Sequence, residues 1–466
     1  MRLQNLKLTK AKLLGEKMRN FIRKLEDSNQ ILRIKKPVSA KYEAAAVMRK
    51  LDCGPAILFE NIEGHDAKVI AGLCGTRDRL CQALGVKLPD LHDTLLGALQ
   101  NPTSATVVSG APVKDFINPN PDLREIPILT HFENDAGPYV TSSVVATRSQ
   151  DGKIENVSIH RLLLLSKSNF AIRIVPRQLN RLWQLACELG KPLEVAISIG
   201  VEPAVLLAAS MSVPFGVSEY WVANSLLDGK LNLVKCDRVD AYAPATAELV
   251  LESKIHVNKF AEEGPFADLL ETYDAVRKQP VVEVVGLMSC RDYLYQEILP
   301  GGAEHRILMG LPYEIRILDA VRGVVPFVRG VHLTLGGGGW LHAIISIRKV
   351  SEGDVGNVIA AAFSSHPSLK VAVIVDEDVD PSNIQDVEKA VATCFQADKD
   401  LVIITGVRGS SLDPSSDREN LLTTKIGLDA TRSLLRPKEL FEKAKIPEKA
   451  LEKADRIIED LKKQGY

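Results

Sequence analysis

Apolar and polar positions follow two rhythms along the chain, and the changes between them mark its parts. Residues 17–110 mix both. "MRNFIRKLED" sets Phe21, Ile22 and Leu25 on one helical stripe, "PAILFENI" and "KVIAGL" read as short apolar strands, and "RDRLCQALGV" is again helical with Gly85 near its end. This predicts a compact α/β unit. From about 113 to 300 strand patterns dominate: "YVTSSVVATRS", "NVSIHRLLLLS", "NFAIRIV", "LEVAISIG" and "LNLVKCD". Only "LNRLWQLACELG" reads as a helix there, ending at Gly190. Many strands and few helices predict a barrel or sandwich. After about 303 strand and helix patterns alternate: "LHAIISI", "GDVGNVIAAAFSS", "LKVAVIVD", "NIQDVEKAVATCF" and "DLVIIT" predict a second α/β layer. The expected division is 1–112, 113–302 and 303–440, followed by a charged helical tail over 441–466 at the surface or at a subunit contact.

Composition narrows the function classes. The 466 residues are 45% hydrophobic and 25% charged, as in ordinary globular proteins. With 58 basic and 59 acidic residues the net charge is −1, which offers no field for nucleic acid or an anionic membrane. No run approaches the roughly 18 apolar residues of a membrane span, and the basic, amphipathic N-terminus lacks a signal-peptide core. A cytoplasmic address is expected. The seven cysteines are scattered without a CxxC pair, which argues for a reducing compartment and against a structural zinc site.

Several motifs invite chemistry, and each has a plainer reading. The 336–339 glycine run lacks the Lys-Ser/Thr of a P-loop and precedes an apolar strand, so a flexible connection accounts for it. "VDEDVDP" (375–381) lacks calcium-loop spacing and reads as a solvated strand end. "ENVSIHR" (155–161) alternates Asn156, Ser158 and His160 with Val157 and Ile159, giving a strand with one polar face. The turn "AASMSVPFGVSE" (208–219) could present backbone N–H groups to a phosphate, with Glu219 nearby. In "LPGGAEHR" (299–306), Gly301 and Gly302 fit a phosphate cradle, a tight turn presenting Glu304, or a simple helix start.

Taken together, and in order, these segments resemble one family. "FIRKLEDSNQILRIKKPVSAKYE", "GPAILFENIEG", "NVSIHR", "SMSVPFGVSE", "LVKCD", "YAPATAELVLE", "EEGPFAD", "RGSSLDPSS" and "KIGLDAT" are similar to the UbiD-type decarboxylases, which use prenylated FMN. The resemblance implies an α+β, multidomain fold: an N-terminal α/β domain, a central split β-barrel that binds flavin, and a C-terminal α/β domain through which members form homodimers or larger assemblies. It implies that Asn156 and Glu219 bind a divalent metal, commonly manganese, beside the flavin phosphate. A hard cation bridging a carboxylate and a phosphate relieves their repulsion. Gln178 stands where many members have a histidine ligand. The backbone at Ser210 and Met211 matches the part that wraps the phosphate and a monovalent cation, potassium. Ser158, Ile159, His160, Arg161, Arg177, Gln178 and Ser212 complete the implied cofactor-binding set.

The resemblance also assigns the chemistry. Arg161 matches the active-site arginine that pairs with carboxylates and faces the substrate carboxylate, a bidentate task suited to guanidinium. Because Asn156 and Arg161 are five apart, a bulge or strand end must separate them if both act at one site. Glu304 aligns with the stretch of the catalytic acid, and Glu297 is the expected second carboxylate of an arginine-centred triad. Non-oxidative loss of CO2 from an α,β-unsaturated acid needs an electron sink that no side chain supplies. It also needs an acid whose proton is held near neutral pH by burial. "ILPGGAEHRILMGLP" is similar to the archaeal branch, which decarboxylates trans-anhydromevalonate 5-phosphate to isopentenyl phosphate. Arg291, His305 and Arg306 are the expected cationic partners of that phosphate. Other readings are an aromatic acid decarboxylase acting on a 4-hydroxy-3-polyprenylbenzoate, a flavin-binding oxidoreductase, and an inactive scaffold. A separate flavin prenyltransferase would supply the cofactor.

Overall fold

The computed structural model describes residues 17–417, 419–442 and 444–463, so the first 16 residues of the basic N-terminus lie outside them. The helix Lys17–Asp27 buries Met18, Phe21, Ile22 and Leu25 against Ala56, Leu58, Ile70 and Leu73, the stripe its spacing predicts. Beneath it lies a four-stranded sheet in the order Ile31–Ile34, Ala56–Phe59, Lys68–Ala71, Leu294–Glu297. The last strand comes from the segment expected in the central barrel and pairs parallel with Lys68–Ala71. The N-terminal unit is therefore completed by chain that arrives more than 200 residues later.

A nine-stranded antiparallel sheet forms the centre. Its path runs Tyr139–Val140, Leu162–Ser166, Asn169–Ile172, Arg277–Ser289, Leu249–Glu263, Leu193–Ile199, Val144–Arg148, Glu155–Ile159, with Phe116–Asn118 paired to Arg277–Ser289. Among the described residues no pairing joins the two ends of this path, so the sheet is open. Two helices beyond the expected Gln178–Glu188 lie over it, Pro203–Ser210 and Glu219–Leu226. Residues 203–209 are all buried. A segment apolar on every side has no helical stripe, which is why its period is unreadable in the sequence.

A third sheet, in the order Val328–Leu333, His342–Ile347, Val371–Asp376, Leu422–Asp429, Leu401–Arg408, carries the expected helices Asp354–Ser365 and Ile384–Cys394. The helix Ala303–Arg322 joins it to the centre. Its Leu308, Leu311 and Ile315 enter the central core, while Ile317, Leu318 and Val321 enter the C-terminal core. The seven cysteines are free thiols. Among the described residues no helix is long and apolar enough to cross a membrane.

Candidate active site

The strand Glu155–Ile159 sends Val157 into the core and leaves Asn156, Ser158 and His160 on its other side. The strand ends at Ile159, and the next begins at Leu162. This break relieves the spacing conflict between Asn156 and Arg161. Opposite Asn156, Ser218 caps the helix Glu219–Leu226 by accepting from the Tyr220 N–H. The capped first residue, Glu219, accepts from Asn156 Nδ2 at 3.0 Å and from the Val157 N–H at 2.6 Å. Burial pushes the Glu219 carboxyl up to about 8 in spite of these bonds. Ser158 Oγ lies 2.9 Å from His160 Nε2, and His160 Nδ1 lies 2.9 Å from the Arg173 carbonyl. That carbonyl requires a proton on Nδ1, so Nε2 accepts. Burial lowers the ring to about 4, which keeps it neutral.

The remaining residues expected at the cofactor have distinct partners. Gln178 opens its helix, donating from Nε2 to the Val213 carbonyl at 2.6 Å, while its buried Oε1 has no hydrogen-bond partner. Arg177 donates to the Tyr313 hydroxyl at 2.9 Å. Ser210 ends its helix with Oγ donating to the Leu207 carbonyl, Met211 is buried, and Ser212 is exposed. A buried amide oxygen without a partner and a carboxyl pushed up by burial are each groups that a hard cation would satisfy. Among the described residues no trio of His, Cys, Asp or Glu forms a metal cluster, so a metal here would depend on amide oxygens.

Arg161 stands at the centre of a carboxylate cage. Nε and Nη2 donate to Glu263 at 2.7 and 2.9 Å, Nη1 donates to Asp268 at 2.7 Å, and Nη2 also donates to Asp274 at 3.1 Å. Its guanidinium lies 4.5 Å from the centre of the Phe266 ring. Glu263 ends the strand Leu249–Glu263, and a short hairpin, Phe266–Ala267 paired with Tyr273–Asp274, presents Asp268 and Asp274. Among these carboxylates Glu263 is fully buried, Asp274 is 8% exposed and Asp268 is the most open at 21%.

This cage corrects the expected triad. Glu297 is fully buried at the end of its strand, where it faces His131 and Thr141 and makes no bond to Arg161. Glu263 and Asp268 occupy the positions beside the arginine. Both lie in "EEGPFAD", five residues apart, so the stretch that marks the family also contained the missed pair.

Glu304 sits in the first turn of the long helix and accepts from the backbone N–H groups of Gly72 at 2.9 Å and Cys74 at 2.6 Å. Burial raises its carboxyl to about 7 against those bonds and the nearby Arg79. It lines a small cavity of about 30 Å³ together with Gly72, Arg79 and Leu299. Its neighbour His305 accepts from the Gly301 N–H, and burial pushes the ring below its usual range against the pull of Asp268. Arg306 is paired with Glu271. Arg291 is exposed, and its carbonyl accepts from Arg19, beside Glu248. Gly301 and Gly302 form the turn before the helix, with Gly301 at a φ of +69°; the Ala303 N–H that follows is bonded to Asp52.

Three family models match consecutively: the N-terminal domain (22–99), the Rift-related domain (106–303) and the C-terminal domain (306–430) of 3-octaprenyl-4-hydroxybenzoate carboxy-lyase, UbiD. The anhydromevalonate phosphate decarboxylase of Methanothermobacter thermautotrophicus is 43% identical over 417 residues, covering 90% of this chain and 97% of the relative. The UbiD-class enzyme HmfF from Pelotomaculum thermopropionicum, solved in complex with FMN, superposes with a TM-score of 0.90 at 40% identity, covering 92% of this chain and 97% of that one. An evolved dimeric form of that enzyme, in complex with prFMN, superposes with a TM-score of 0.86 at 37% identity over the same shares.

Proposed function

The chain belongs to the UbiD family of carboxy-lyases, and from that premise we propose that it uses prenylated FMN to decarboxylate trans-anhydromevalonate 5-phosphate, releasing CO2 and isopentenyl phosphate. The observation that carries this reading is the Arg161 cage. Guanidinium has five N–H donors, and the four bonds to Glu263, Asp268 and Asp274 leave one, on Nη1, for a substrate oxygen. Glu263 fixes the plane of the guanidinium through two bonds, so the free N–H has a set direction.

When bound, the prenylated flavin supplies the electron sink that carboxylate loss requires. Asn156, Ser158, Ile159, His160, Arg177, Gln178, Ser210, Met211, Ser212 and Glu219 would hold it within the split barrel, the form we assign to the open central sheet. Asn156, Glu219 and Gln178 would hold the divalent metal. Their all-oxygen donor set suits manganese or magnesium. A potassium ion beside residues 210–211 belongs to the same reading, as does a flavin prenyltransferase that supplies the cofactor. The protein assembles as a homodimer or larger.

The carbon that loses CO2 must take up a proton. We assign its delivery to Asp268, the most open carboxyl on Arg161, which takes up a proton from solvent before each transfer and is left as the carboxylate paired with Arg161. A second reading, Glu304 as the acid, is favoured by a carboxyl raised to about 7. It is weakened by the two backbone bonds that engage both oxygens.

The test is anaerobic turnover after co-expression with a flavin prenyltransferase, following CO2 release from trans-anhydromevalonate 5-phosphate and from 4-hydroxybenzoate-type acids. Release from the first alone is expected. Asp268→Asn should retain flavin and lose at least 100-fold in kcat, on the order of a lost acid, while Glu304→Gln keeps measurable turnover. The reverse pattern would move the acid to Glu304. Release only from the aromatic acids would replace the substrate.

A further inference from the structure

The hairpin that carries Asp268 is anchored from three directions. Its turn closes on itself, with Asp268 N–H donating to the Thr272 carbonyl at 3.0 Å and Glu271 N–H donating to the Asp268 carbonyl at 2.8 Å. Leu269 is fully buried in the C-terminal core. Leu270 presses on Gly338, where any Cβ would collide with its side chain. Glu271, at a φ of +61°, extends the other way, and its two oxygens accept from Arg49 and from Arg306. Arg49 lies on the N-terminal helix Glu43–Lys50, and Arg306 lies on the first turn of the long helix. Gly301 leaves room for this arrangement: a Cβ there would stand 2.9 Å from Glu271 Cγ and 3.2 Å from the Asp268 carbonyl.

We propose that Glu271 is a positioning residue for decarboxylation: held between Arg49 and Arg306, it sets the 268–272 turn so that Asp268 meets Arg161. The inference rests on the reading that Arg161 and Asp268 serve the reaction. The Arg49 bridge adds little to global stability, since Arg49 and Glu271 are 42% and 35% exposed, whereas Arg306 is 16% exposed. The contribution of the Arg49 bridge is geometric. The same carboxylate joins the N-terminal unit to the long helix at the point where the hairpin bends, so its loss frees the turn without opening either core. A displacement of about 1 Å in a reacting group is enough to cost a large factor in rate.

The experiment compares wild type, Glu271→Gln, Glu271→Asp and Asp268→Asn as holoenzymes co-expressed with a flavin prenyltransferase. It measures kcat and KM on trans-anhydromevalonate 5-phosphate, flavin absorbance, and hydrogen exchange by mass spectrometry. Glu271→Gln is expected to keep the flavin spectrum and a KM within about twofold, lose about tenfold in kcat, and exchange faster only within 266–274. Glu271→Asp, which keeps the charge, should recover part of the loss. Wild-type kcat and exchange in Glu271→Gln would overturn the proposal. So would flavin loss or faster exchange throughout the barrel, the signature of a general structural role. Full turnover by Asp268→Asn would instead overturn the underlying reading of the site. The exchange comparison needs no substrate, so it bears on the positioning role even if the substrate assignment is wrong.

Discussion

At the scale of single residues, Glu304 makes a prediction independent of catalysis. Its carboxyl is raised by burial from an ordinary 4.5 to about 7, so the folded state binds more protons than the unfolded chain between those values. The unfolding free energy therefore falls as pH rises from about 4.5 to 7 and is level beyond. The size is on the order of 3 kcal/mol, at 1.36 kcal/mol per unit. Glu304→Gln removes this slope. Chemical denaturation at pH 5 and pH 8 should show the variant gaining on wild type by that order as pH rises. An unchanged difference between the two proteins would mean the carboxyl is not desolvated as its surroundings imply. Some of the site was legible at this scale. Asn156 and Glu219 lie 63 positions apart, yet each sits in a distinctive stretch, and they meet through a bond of 3.0 Å. The partners of Arg161 were less legible, because five-residue spacing in "EEGPFAD" does not reveal that the intervening chain brings both carboxylates to one guanidinium.

At the scale of elements, glycines decide where the hairpin and the long helix can approach. Gly64 and Gly301 both have positive φ, but a Cβ at Gly64 would meet nothing within 4 Å, whereas at Gly301 it would press on Glu271 and Asp268. Gly64→Ala should therefore cost only the backbone preference, about 1–2 kcal/mol. Gly301→Ala should lose more stability in urea titration and also reduce turnover, because relief of the clash requires the hairpin to move. Equal stability losses with wild-type turnover in both would show that the approach at Gly301 is not tight. The elements themselves were unevenly legible. Amphipathic helices such as Lys17–Asp27 announce their faces, and the alternation of "ENVSIHR" correctly predicts Val157 inward with Asn156 opposite. Pro203–Ser210 gives no such signal, and Leu294–Glu297 reads as a strand only once its distant partner is known.

At the scale of the whole molecule, the apolar surface left uncovered bears on assembly. The strand Leu401–Arg408 is the last in its sheet, with Ile403 57% exposed. The tail helix Glu448–Lys463 buries no residue, although Leu451, Ile457, Ile458 and Leu461 recur at helical spacing and are all exposed. An apolar sheet edge invites pairing unless something covers it. A helix with one apolar face and no core beneath it has no partner for that face among the described residues. Both features lie in the C-terminal part of the chain, so a second copy that covers them would leave the Arg161 cage, in the central part, to each protomer. Light scattering after gel filtration should give a dimer or larger for the wild type. Ile403→Lys, and separately the pair Ile457→Lys with Ile458→Lys, should shift it toward monomer, because each places charge on a surface that association would bury. Flavin content should stay unchanged in both variants, since none of these residues belongs to the proposed cofactor-binding set. A monomeric wild type, or variants of unaltered mass, would mean that neither surface is an interface.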